Sequence, residues 1–112
     1  MAEIQRIESV PALEELLERS KERAVWVFKH SLTCGTSSTA WAEFQRFVSG
    51  QPLQDGTIYA LIEVQNARAV SNVFAERTGI QHQSPQAVLL RGARVAWHAS
   101  HYQIYGEALK GA

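Results

Sequence analysis

Three short runs, Ala24-Val-Trp-Val-Phe28, Thr57-Ile-Tyr-Ala-Leu-Ile-Glu-Val64 and Ala87-Val-Leu-Leu90, are apolar at almost every position. A strand with one wet face alternates apolar and polar residues. Runs this short and this continuous suit strands covered on both faces, as in a central parallel sheet. Helical spacing fills the gaps between them. Ser9 and Pro11 give a start signal, after which Leu13, Leu16 and Leu17 share one face of a first helix. From residue 34 onward Trp41, Phe44, Phe47 and Val48 form a helical stripe, stopped by Gly50 and Pro52. After the second run Val70, Val73 and Phe74 face inward, with Asn66 the expected N-terminal cap and Gly79 the expected stop. A polar loop, Gln81-His-Gln-Ser-Pro85, precedes the third run, and Arg91-Gly-Ala-Arg94 turns into Val95-Ala-Trp97 as a hairpin. Ser100 is expected to cap a last helix holding Ile104, Tyr105, Ala108 and Leu109.

The order is therefore α-β-α-β-α-β-β-α. Each βα unit should cross over right-handedly to give parallel strands, and the hairpin adds antiparallel ones. The expected result is a mixed four-stranded sheet flanked by helices, in one domain over residues 1–112. This arrangement resembles the thioredoxin-like fold, although other small α/β folds share the order. A chain of 112 residues buries a core without a disulfide or metal staple. Lys plus Arg and Asp plus Glu each number 11, so no basic surface is available for a phosphate backbone, and nucleic acid is not an expected partner. No apolar stretch reaches signal-peptide or membrane-span length, so no membrane association is expected and the expected location is cytoplasmic.

There is a single cysteine, Cys34, which rules out an internal disulfide and suits a reducing compartment. It falls where the first apolar run gives way to the following helix. The first amides of a helix lack intrahelical acceptors and carry the positive end of its dipole, so this address should lower the pKa of the thiol. In Cys34-Gly-Thr-Ser37 the serine hydroxyl lies one turn along, able to donate a hydrogen bond to a thiolate but unable to attack a disulfide. Gly35 leaves room for a partner sulfur. A disulfide made at Cys34 must then be resolved by a thiol from another molecule. Lys29 and His30, just upstream, are candidates for adding positive field; their bland readings are a solvated lysine and a hydrogen-bonded loop histidine.

With these pieces placed, the sequence resembles the bacilliredoxins of the YtxJ type. The matching stretches are Phe28-Lys-His-Ser31 with Thr33-Cys34-x-x-Ser37, Glu43-Phe44, Val64-Gln-x-Ala-Arg68 with Ser71-Asn72, His82-x-Ser-Pro-Gln86, and Trp97-His-x-Ser-His101. Gly35-Thr36 stand where that family usually has Pro-Ile, a change that bears on redox tuning. The resemblance implies removal of bacillithiol from S-bacillithiolated client proteins, with bacillithiol as co-substrate, a low-molecular-weight thiol as regenerant and no metal. It implies Cys34 and Ser37 as the catalytic pair. Thr33, Gly35, Thr36 and His30 around the cysteine, Ser84 and Pro85 in the proline loop, and His98 on the last strand are then expected to meet the substrate. In thioredoxin-like proteins a cis-proline before the third strand faces the cysteine, so Pro85 is expected to be cis against the usual trans preference.

Two rivals stand beside this reading. Cys34-Gly-Thr-Ser37 also resembles the Cys-Gly-Phe-Ser motif of monothiol glutaredoxins, which use glutathione or share an iron–sulfur cluster. However, the chain has Ser-Pro where they have Thr-Val-Pro, and no Gly-Gly pair follows its hairpin. The second rival is a binding module with a merely buried cysteine. His98-x-x-His101 is a weak metal signal, since a tetrahedral zinc site needs four positions filled. Trp26, Trp41 and Trp97 read as core or cleft walls, and Arg68 and Arg77 as a solvated helix face with an option on the carboxylates of bacillithiol.

Overall fold

A computed structural model describes residues 3–33, 35–52 and 56–112. The elements in chain order are β1 (Ile4–Arg6), α1 (Val10–Arg19), β2 (Val25–His30), α2 (Gly35–Ser49), β3 (Ile58–Glu63), α3 (Arg68–Thr78), β4 (Gln86–Arg91), β5 (Arg94–Ser100), a 3-10 turn (His101–Gln103) and α4 (Gly106–Lys110). The sheet has five strands in the order β1-β3-β2-β4-β5, so the four-stranded expectation is corrected by one. The addition is β1, which runs parallel to β3 with Ile4 opposite Tyr59. Three residues with only one of them half-buried carry too little apolar signal to be seen in the sequence.

β2 pairs in parallel with β3 and antiparallel with β4, which places it at the centre, and all six of its residues are buried. Alternation then divides its side chains between two cores. Val25 and Val27 join Leu13 and Leu16 of α1 and Val70 and Phe74 of α3 on one face. Trp26 and Phe28 join Phe44, Phe47 and Val48 of α2 and Leu109 of α4 on the other. Three layers result, helices on both sides of one sheet.

Local chemistry sets the ends. Ser9 caps α1 by accepting from the Ala12 N–H at 3.2 Å, and Gly79 closes α3 at φ 73, donating its N–H to the Ala75 carbonyl. Two expected caps are corrected. The residue before α3 is Ala67, without a side-chain bond, because Asn66 instead donates to the Glu63 carboxylate. Ser100 remains in β5 opposite Gln86, because the ladder continues to it. The final helix starts later, after Tyr105.

Candidate functional site

The site gathers at the carboxyl end of β2, where the buried strand hands over to α2. Cys34 lies outside the described residues; α2 begins at Gly35, the next residue. Ser37, in the first turn of that helix, is fully buried. Its Oγ accepts the Ser31 N–H at 2.9 Å and lies 2.8 Å from His30 Nδ1. His30 is the last residue of β2, and it stacks on Trp41 with centroids 5.7 Å apart and planes at 27°. Burial holds its pKa below the ordinary histidine value, with the Glu63 carboxylate pulling it back upward.

The segment between strand and helix is fastened from the side. Gln65, following β3, accepts the Leu32 N–H at 3.0 Å and donates to Ser31 Oγ at 3.0 Å and Thr33 Oγ1 at 3.3 Å. Thr33 and Gly35 are exposed and Thr36 half-buried, with Thr36 donating to the Tyr102 hydroxyl at 3.4 Å. Across from them stands the proline loop. Lys29 pairs with Gln86, which brings the Ser84–Pro85 bond level with the end of β2, and that bond is cis as expected. The Pro85 carbonyl accepts the His101 N–H at 3.0 Å, and the His101 ring meets Gln83 at 2.9 Å, tying the loop to the end of β5. Beside the start of α2 a groove of about 340 Å³ runs between Gly35, Thr36, Thr39 and Glu43 on one wall and Tyr102 and Tyr105 on the other. A larger groove of about 490 Å³, bounded by Glu14 and Arg77, is lined by none of these residues.

Of the sequence-derived site residues, the fold brings together His30, Thr33, Gly35, Thr36, Ser37, Ser84 and Pro85. His98 is exposed on edge strand β5 opposite Val88, and its side chain makes no hydrogen bond to another described residue. Arg77 pairs with Glu14 of α1, whereas Arg68 has no acidic partner among the described residues and lies near the exposed His82. Among the described residues no group of three or more His, Cys, Asp or Glu side chains stands close enough to hold a metal. Trp26 and Trp97 are core walls, packed edge to face at 5.6 Å.

Three residues carry more than the sequence reading gave them. Gln65 appears there only as part of a motif, and Tyr102 not at all. Lys29, whose bland reading is solvated, is wholly buried: its Nζ has no hydrogen-bond partner among the described residues and lies 5.8 Å from the Phe74 ring centroid. A signal for it exists, since alternation from Val25 and Val27 puts Lys29 on the same covered face. Burial pushes its pKa down to about 8. On the same side, His82 Nδ1 lies 3.4 Å from Ser71 Oγ, and burial together with the charges of Lys29 and Arg68 lowers its pKa.

A family model described as monothiol bacilliredoxin BrxC matches residues 5–109. The chain belongs to the monothiol bacilliredoxin family. Thiol–disulfide redox function comes with that membership, and the matched residues run through every element of the site, from the end of β2 to the proline loop. Solved structures agree on the fold. A protein described as a candidate oxidoreductase with a thioredoxin fold is 26% identical with a TM-score of 0.82, the match covering 96% of this chain and 91% of that one. Fasciola hepatica thioredoxin superimposes with a TM-score of 0.75 at 14% identity, covering 96% and 94%. Malassezia sympodialis thioredoxin also scores 0.75, at 15% identity, covering 99% and 88%. This bacilliredoxin thus has the thioredoxin fold, and none of its described helices is long and apolar enough to cross a membrane.

Proposed function

We propose that this bacilliredoxin is a cytoplasmic monothiol exchange enzyme that frees S-bacillithiolated proteins through Cys34. The Cys34 thiolate attacks the bacillithiol sulfur of the client's mixed disulfide. A Cys34–bacillithiol disulfide forms, the client sulfur leaves as a thiolate and takes a proton from solvent. A second low-molecular-weight thiolate, bacillithiol itself in this reading, then attacks the Cys34–bacillithiol bond. It releases bacillithiol disulfide and restores the Cys34 thiolate. With one cysteine in the chain, no internal thiol can perform that second step.

The observation that carries the reading is the family match over residues 5–109. The local chemistry supports it. Exchange needs a thiolate near ambient pH and an accessible sulfur. The first amides of a helix favour an anion, and Thr33 and Gly35, the residues before and after Cys34 in sequence, are exposed. Thr36, Ser84 and Pro85 then serve as substrate contacts, and Ser37 as the hydroxyl serving the sulfur. No step calls for a metal.

Mass spectrometry after incubation with S-bacillithiolated and S-glutathionylated clients tests this. The expected result is a bacillithiol adduct confined to Cys34, with free client thiol appearing in step. Transfer of glutathione alone would move the chain to glutaredoxin chemistry, and absence of any adduct would end the exchange reading.

A further inference from the structure

We infer that His30 is a positioning residue for this exchange: its Nδ1 determines where the Ser37 hydroxyl hydrogen points. The inference rests on Cys34 being the exchanging thiol. A serine hydroxyl has one hydrogen and two acceptor sites. The Ser31 N–H fills one acceptor site at 2.9 Å, and His30 Nδ1 stands 2.8 Å from the same oxygen. If Nδ1 is bare, it takes the Ser37 hydrogen and the hydroxyl has nothing left to donate. If Nδ1 carries a proton, it fills the second acceptor site, and the hydroxyl hydrogen must turn to a third group. Ser37 is 0% exposed, so bulk water does not supply that group. We assign that group to the Cys34 sulfur, three residues earlier in Cys34-x-x-Ser37.

The ring is held for this task. Trp41 of α2 stacks on it, and Phe28 of its own strand lies 6.1 Å away. The charge acting on it comes from Glu63 of β3, its partner in register, which Arg6 engages at 3.2 Å. Lys29, adjacent in sequence, points to the opposite face of the sheet. Burial favours the neutral imidazole, so the choice at neutral pH lies between its two tautomers. When Cys34 ionises, its proton goes to solvent. The ring loses a proton from Nε2 and gains one at Nδ1 through solvent, with no net change. The Ser37 O–H then donates to sulfur while Nδ1–H supports it from behind, and one proton leaves for each thiolate formed.

Titration of the Cys34 thiolate by ultraviolet absorbance in the full chain tests the relay. Ser37→Ala and His30→Phe should each raise the Cys34 pKa by about one unit, a tenfold fall in thiolate fraction at mildly acidic pH. The double variant should raise it no further than either alone. His30→Asn, whose amide N–H can donate where Nδ1 does, should hold it within about 0.3 units of the parent. The relay is overturned if His30→Phe leaves the pKa unchanged while Ser37→Ala raises it, or if the two effects add. Should His30→Phe not fold, imidazole nitrogen NMR of the unaltered chain decides instead. A protonated Nδ1 in the thiolate state supports the relay, and a bare Nδ1 overturns it. A Cys34 that never exchanges with a disulfide overturns the underlying function, whereas a reactive Cys34 indifferent to His30 overturns the relay alone.

Discussion

Lys29→Met should make the protein more stable. Lys29 is fully buried, its ammonium without a hydrogen bond to any described residue and 5.8 Å from the Phe74 ring centroid. Its pKa falls from 10.5 to about 8 through burial. At about 1.36 kcal/mol per pH unit, that difference is worth on the order of 3 kcal/mol against folding. Relaxation of the protein around a buried charge reduces such penalties, and about 2 kcal/mol is expected to remain.

The sign follows from proton counting. Between pH 8 and 10.5 the unfolded chain keeps the lysine proton and the folded chain sheds it, so the unfolded state binds more protons and stability rises with pH there. Below pH 8 both states are protonated and the full penalty stands. Methionine keeps the length of the side chain without the charge. Lys29→Met should therefore gain about 2 kcal/mol at pH 7, raising the melting temperature by about 8 °C for a chain of this size. Most of that gain should disappear as pH passes 8 toward 10.5. Urea unfolding of both proteins at pH 7, 9 and 10.5 measures it, the difference between them cancelling the titration of every shared group. A variant less stable than its parent at pH 7, or a gap independent of pH, refutes the reasoning, because either result requires Nζ to be paired in the folded chain.

Gln65→Leu removes the three bonds that fasten residues 31–33; a loss of about 1–2 kcal/mol is expected, with faster hydrogen exchange at the Leu32 amide. Gly79→Ala forces a side chain into φ 73 with no neighbour within 4 Å, so urea unfolding should report a purely conformational cost of about 1 kcal/mol. Ser9→Ala strips the cap of α1 and should cost about 1 kcal/mol in the same assay. Phe44→Ala opens a cavity between Trp26, Phe28 and Phe47 and should cost about 3–5 kcal/mol, with a shift in tryptophan emission as water reaches Trp26.

What was legible in the sequence is what depends on runs of side chains. Continuous apolar stretches marked β2, β3 and β4, because a strand covered on both faces has no polar face to show. Helical stripes marked α1, α2 and α3 for the same reason. Features set by single backbone partners were not legible. β1 exists because Ile4–Arg6 finds the free edge of β3, and its own three residues carry almost no pattern. Ser100 looks like a cap in isolation, but its place opposite Gln86 makes it the end of a ladder.

The site divides along the same line. Cys34, Ser37 and Pro85 announce themselves through local motifs, whereas the clamp by Gln65 is invisible until residues 33 apart in the chain meet at 3.0 Å. Lys29 is the instructive middle case. Period-two alternation from Val25 puts it inside, and its charge argues for putting it outside; the strand geometry wins because β2 has neighbours on both edges and helices on both faces. A central strand cannot turn one residue toward water without shifting the register of every pair beside it. The lysine therefore stays in, and relief comes from its proton equilibrium rather than from movement of the chain. That is why a fold so legible in its apolar pattern carries its least expected chemistry at the position where that pattern is broken.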